Sequence, residues 1–216
     1  MNTDMEVKKS VLAELAWEPR IAAAHIGVAA HDGVVTLTGH IESYSQKCAA
    51  ENAALRVKGV KAVAQEMEVR LPTSVQRGDE EIAAAALTQL KWNSIVPKDA
   101  IKISVQHGWL TLTGTVDWHF EAQEAAEAVA TLWGVVGVTN KVSVKTRVNT
   151  TDLSEDIKKA LHRSSLEPKN VEVSANGGMI TLTGTVKSWQ DRELAGTTAW
   201  AAPGATSVEN DIAVSF

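Results

Sequence analysis

In 216 residues there are one cysteine, one tyrosine, two phenylalanines, five prolines and no long apolar run. Each shortage excludes something. Cys48 alone cannot close an internal disulfide or build a thiolate metal site, so nothing demands an oxidising compartment. Five prolines beside 44% hydrophobic and 22% charged residues rule out collagen-like and disordered chains and leave an ordinary soluble globular protein. No transmembrane segment is expected, and MNTDMEVKKS at the start lacks the apolar core of a signal peptide. The expected location is therefore cytoplasmic as written, and periplasmic or membrane-associated only if an export signal has been removed. Basic charge is scarce as well. With 21 Lys and Arg against 26 Asp and Glu the net charge is -5, and nucleic acid is not an expected partner.

What is present is a repeat. GVVTLTG at 33–39 returns as GWLTLTG at 108–114 and GMITLTG at 178–184, so Gly39, Gly114 and Gly184 stand 75 and then 70 residues apart. A second glycine follows each after 20 residues, at Gly59, Gly134 and Gly204. Beyond it apolar and amide positions alternate with the period of a strand: Val63/Val138/Val208, Gln65/Asn140/Asn210, Met67/Val142/Ile212 and Val69/Val144/Val214. Ile26/Ile101/Val171 and Val28/Ile103/Val173 mark another strand upstream.

Helical spacing precedes them at Val7, Val11, Leu12 and Leu15, at Ile82, Ala86, Leu87 and Leu90, and at Ile157 and Leu161. Pro19, Pro97 and Pro168 follow these first helices. Capping pairs stand at Thr3 with Glu6 and Asp152 with Glu155; Ser43 and Ser188 can cap second helices, with Asp117 as the substitute in the middle copy.

Each copy therefore reads helix, strand, strand, helix, strand. The expected fold class is α+β: three tandem small αββαβ domains at 1–70, 79–145 and 152–216, each a three-stranded mixed sheet with two helices on one face. Turns at Asp32-Gly33, His107-Gly108 and Gly177-Gly178 set Val28 opposite Leu37 and Val173 opposite Leu182. Thr36 and Thr38 then face away from the helices. A helix between the second and third strands makes those two parallel.

The repeat also tests candidate sites, because residues serving the fold recur and residues serving chemistry depart. Cys48 aligns with Gln123 and Glu193, a solvent-side place that argues against a nucleophile. The register sets His25 opposite His40; two imidazoles fall short of a zinc site, so a solvated pair is favoured over a pH sensor. Gln65, Asn140 and Asn210 recur with apolar parity and need a partner. A fixed hydrogen bond to a loop is expected, with ligand or ion coordination as the alternative. Gly39, Gly114 and Gly184 are assigned a structural role.

Seven tryptophans are the unusual count. Trp92, Trp109, Trp118, Trp133 and Trp189 occupy places that the other copies fill otherwise, and are expected at contacts between domains or subunits, ligand stacking being the alternative. The segment from Leu153 to Arg163 is the one basic amphipathic stretch. Its Lys158, Lys159 and Arg163 are the candidates for weak attachment to anionic phospholipid, against the default of a solvated face.

The element order, the V-T-L-T-G strand and the later G-x3-V-x-[NQ]-x-Φ-x-V block resemble the BON domain, named for bacterial osmotically inducible and nodulation proteins. The resemblance covers nearly the whole chain as three tandem copies. It implies a non-enzymatic, transport-associated envelope or stress protein that binds phospholipid surfaces, partner proteins or, in some members, potassium.

The leading expectation is a non-catalytic binding and assembly protein, related to osmotic stress or transport, that forms a homo-oligomer. The alternative is an oligomer surrounding a pocket or passage for a small solute. An enzyme ranks third, because no nucleophile-base pair, phosphate loop or metal cluster is visible. No catalytic residue, cofactor or metal is assigned.

Overall fold

The computed structural model describes residues 3–145, 153–163 and 171–215. The first copy runs α1 (Asp4–Trp17), β1 (Ile26–His31), β2 (Val34–Ile41), α2 (Tyr44–Leu55) and β3 (Ala62–Val69). The second runs α3 (Asp79–Trp92), β4 (Ile101–Gln106), β5 (Trp109–Val116), α4 (His119–Ala130) and β6 (Gly137–Val144). The third runs α5 (Leu153–His162), β7 (Val171–Asn176), β8 (Met179–Val186), α6 (Trp189–Trp200) and β9 (Ser207–Val214). Three separate sheets result, ordered β1-β2-β3, β4-β5-β6 and β7-β8-β9.

Two compact units are distinguished. One is Met1–Leu90 with Ile103–Thr111 and Glu127–Thr139; the other is Lys91–Lys102 with Leu112–Ala126 and Asn140–Phe216. The first unit holds the whole first copy, and the second unit the whole third.

The hairpin register follows the turn dipeptides. β1 and β2 are antiparallel with Val28 beside Leu37 and Ile26 beside Gly39, and β7 and β8 repeat this with Val173 beside Leu182. β2–β3 and β8–β9 are parallel, as a right-handed return through a helix requires. Asp32 and His107 take φ 50°, the left-handed conformation that a two-residue hairpin needs and that Asp and His tolerate.

Alternation then fills the cores. In the first copy Val7, Val11 and Leu15 from α1 meet Ile26, Val28, Val35, Leu37 and Met67 from the sheet. Ala50, Ala53 and Ala54 form the buried stripe of α2, and small side chains there bring helix and sheet close. The third copy repeats the scheme with Ile157, Leu161, Val173, Ile180, Leu182, Ala195 and Ala199. Each fully buried Leu or Val contributes about 1.5–3 kcal/mol by leaving water.

The caps at Thr3, Ser43 and Ser188 stand as the sequence indicates, whereas α4 begins at His119 with the Glu121 carboxylate accepting from the Asp117 and Trp118 N–H groups. Thr3 accepts from the Glu6 N–H while the Glu6 carboxylate accepts from Thr3, and Ser43 and Ser188 cap α2 and α6. Asp152, Pro168 and residues 146–151, between the second and third expected domains, lie outside the described residues. Between the first two copies stands a short 3-10 turn at Thr73–Val75.

The TLTG glycine has a definite steric cause. A Cβ on Gly39 would stand 2.1 Å from the His25 carbonyl oxygen, and one on Gly114 2.1 Å from that of Ala100. Both glycines also hold positive φ, 109° and 144°. The chain entering the first strand crosses the second where only a hydrogen fits.

Candidate functional site

The middle copy departs most sharply at the entry to its second helix. Where the first and third copies have Ser43-Tyr44-Ser45 and Ser188-Trp189-Gln190, it has Trp118-His119-Phe120. Three consecutive ring-bearing residues cannot all face the repeat's own core, and at least one face must be presented outward. The His119 imidazole lies flat on the Trp200 indole at the end of α6, with ring centroids 3.7 Å apart and planes 9° from parallel.

Around this stack a cleft of about 420 Å³ opens, lined by Trp118, His119, Phe120, Gln123, Thr197, Trp200 and Ala201. That volume lies within the range of small-ligand sites. Thr197 commits its hydroxyl to the Glu193 and Leu194 carbonyls one turn back. Burial lowers the His119 pKa from its ordinary value, so the imidazole is neutral at neutral pH and stacks as an aromatic ring. It is the one titratable group among the described residues lining the cleft. The cleft can hold a flat or branched apolar group; its lining contains no nucleophile with a base beside it.

The sequence model of the BON domain matches residues 3–70, 78–146 and 149–215. The chain belongs to the BON domain family. The chain shares 30% identity over 146 residues with osmotically-inducible protein Y of Escherichia coli K12, covering 66% of this chain and 73% of that protein. Two solved structures of CdsD, a structural protein of the Type III secretion system of Chlamydia trachomatis, align at 15% identity and TM-score 0.28. One of them, its C-terminal domain, is covered 100% on both sides, and the other covers 96% of this chain and 91% of its own. A likeness that low carries no argument about this chain. No helix among the described residues is long and apolar enough to cross a membrane.

The recurring amides of the BON repeats find one common partner, and it is not a loop as expected. Asn140 donates to the Ala122 carbonyl at 2.8 Å, Asn210 to that of Arg192 at 2.9 Å and Gln65 to that of Lys47 at 3.3 Å. All three carbonyls belong to the second helix, 18 residues earlier. The amide bolts the third strand to that helix, which is a structural role.

Cys48 is also corrected. It is half-buried rather than on the solvent side, beside Tyr44, and burial raises its pKa. Tyr44 is pushed up to about 12 by burial, and its hydroxyl shares a hydrogen bond with the Val138 backbone. A protonated thiol next to a protonated phenol is a packing pair and not a nucleophile.

The tryptophans separate into different situations. Trp92 is 83% exposed, and Trp17, which the sequence reading passed over, is 84% exposed at the equivalent end of α1. Trp133 is exposed too. Trp118 is half-buried in the cleft. Trp109 is held within its repeat: its Nε1 donates to Thr139 Oγ1 at 2.8 Å, and its ring covers Gly137, where a Cβ would stand 2.5 Å from it. Trp189 is half-buried, with the Arg192 guanidinium 5.0 Å from its ring centroid.

On α5, Leu153, Ile157 and Leu161 are buried in the core of the third repeat and are not available for insertion into lipid. Lys158 pairs with Glu155 at 3.1 Å and Lys159 with Asp156 at 3.6 Å, leaving Arg163 exposed just past the helix.

Elsewhere His25 and His40 stack with centroids 4.7 Å apart, as the register requires. Asp4, His31 and Asp32 gather in the first copy, but the two carboxylates face different ring nitrogens, Nδ1 at 3.7 Å and Nε2 at 3.5 Å. Asp79, at the place equivalent to Asp4, accepts from the His107 and Gly108 N–H groups at 2.8 Å each. An aspartate there clamps helix to hairpin. The His119-Phe120-Trp200 cleft was missed because its walls come from distant parts of the sequence, although the ring-rich departure at 118–120 is visible in the alignment of copies.

Proposed function

We propose that this BON-family chain is a non-catalytic binding and assembly protein, and that the cleft built on the His119–Trp200 stack receives an apolar group of its binding partner. The observation that carries this is the cleft itself: an aromatic lining, enough room for a small ligand, and one neutral imidazole as its titratable group. The reading is also supported by kinship with an osmotically inducible protein. Phospholipid attachment through Lys158, Lys159 and Arg163 is the weaker proposal, because two of the three cations are already paired and the apolar side of α5 is committed.

The test uses anilinonaphthalene sulfonate, an apolar fluorophore that brightens on leaving water. The expected result is saturable binding of about one equivalent per chain, abolished by Thr197→Trp, which fills the cleft with an indole. Circular dichroism confirms that the variant is folded. Absence of saturable binding to the wild type, or unchanged binding to Thr197→Trp, overturns the reading.

A further inference from the structure

Each repeat covers one face of its sheet with helices and leaves the other open, so the side chains on the open face are free to differ between copies. In the third repeat Glu172, Thr183 and Asp211 stand side by side across that face, Thr183 pairing with both neighbours in register, and all three are exposed. In the middle repeat the same three places hold Lys102, Thr113 and Lys141, again all exposed. The strands there have the bounds of β1, β2 and β3 moved by 75 residues. Thr115 Oγ1 and Ser143 Oγ lie 3.1 Å apart, the adjacency that His40 and Glu68 have in the first repeat. The first repeat has Gly27, Thr38 and Glu66 at these places, with a single charge.

Two ammonium groups thus flank a threonine on one sheet, and two carboxylates flank a threonine on another. Adjacent strands are about 4.8 Å apart, so the two charges of each face sit about 10 Å apart on the outer strands, at matching separations. None of these four charges takes part in an ion pair among the described residues. The match is between opposite charges at homologous positions of equivalent surfaces, and a face laid on its homologue brings each Lys over an acid whichever way round it is turned.

We propose that the open sheet face of the middle repeat, carrying Lys102 and Lys141, docks on the open sheet face of the third repeat, carrying Glu172 and Asp211, of a second copy of this chain. Every copy has both faces, and the assembly proposed is the closed one, in which two copies related by a two-fold axis make the contact twice. The first repeat is the poorer acceptor, since Gly27 supplies no charge where the third repeat has Glu172. The inference rests on the assembly half of the proposed function and not on the cleft.

Sedimentation velocity of the full chain at low salt tests it with four proteins: wild type, Lys102→Glu/Lys141→Glu, Glu172→Lys/Asp211→Lys, and all four changes together. The wild type is expected to dimerise, each double reversal to raise the dissociation constant by about tenfold or more, and the fourfold variant to return to the wild-type value. Circular dichroism checks folding, and Lys102→Gln/Lys141→Gln replaces any reversal that unfolds, with weakened association again expected. Anilinonaphthalene sulfonate binding, measured on the same proteins, is expected to stay unchanged, so failure of the cleft and failure of the docking face are read separately. A monomeric wild type, a double reversal that leaves association unchanged, or a fourfold variant as weak as the pairs overturns the proposal.

Discussion

Gln65 differs from its counterparts by one methylene, and the difference is felt. Asn140 and Asn210 turn their Oδ1 to the N–H two residues ahead, of Val142 and Ile212, so both ends of the amide are used. The longer Gln65 reaches the helix carbonyl but leaves its Oε1 buried without a donor. Gln65→Asn is expected to raise stability by about 1 kcal/mol in urea unfolding, because an unsatisfied buried oxygen is replaced by a bonded one. A loss of stability would show that the glutamine is satisfied in solution. Gly39→Ala goes the other way. Its Cβ would meet the His25 carbonyl at 2.1 Å, so the expected loss exceeds the roughly 1 kcal/mol of an ordinary Gly-to-Ala propensity difference. Both roles were legible in the sequence as recurrence. The partners were not, since a backbone carbonyl 18 residues away leaves no mark on residue identity.

At the level of elements, the ends of α1 and α2 are tied by charge. Glu18, just past α1, accepts from Arg20 Nε at 2.8 Å, and Arg56, just past α2, lies 2.9 Å from Glu14 and 3.5 Å from Glu18. Hydrogen bonding from Arg20, opposed by desolvation, holds the Glu18 carboxyl at about 2, below its ordinary 4.5. A carboxyl whose pKa is lowered by folding contributes its stability above the unfolded value and loses it as pH falls through the folded one. The wild type should therefore exceed Glu18→Gln in urea stability at neutral pH, with the gap closing between about pH 4.5 and pH 2. A gap independent of pH would contradict this. Element order and register were readable because turn dipeptides and a period of two leave local signals. The cleft was not, because His119 and Trp200 meet only after two helices have packed, and nothing local in either segment names the other.

For the whole molecule, three versions of one fold differ mainly at surface positions: ring-rich at 118–120, basic on one open sheet face and acidic on another. Net charge alone, at -5, conceals that pattern and had suggested only that nucleic acid is no partner. Tandem copies, their family and the expectation of self-association were all legible from the repeat. The surface proposed for self-association was not, because tryptophan is the residue type that marks interfaces in a sequence, whereas the complementary charges come together only across paired strands. Exposed ion pairs contribute about 0.2–1 kcal/mol each, so four of them in the proposed dimer set its specificity and salt sensitivity and leave it reversible. The most direct test of a binding and assembly role is sedimentation equilibrium of the unmodified chain at about 50 mM and about 500 mM salt, which shortens the screening length severalfold. The expected result is a concentration-dependent mass rising from the 23.1 kDa monomer toward twice that value at low salt and falling back at high salt. A 23.1 kDa species at every concentration and both salt levels would contradict it.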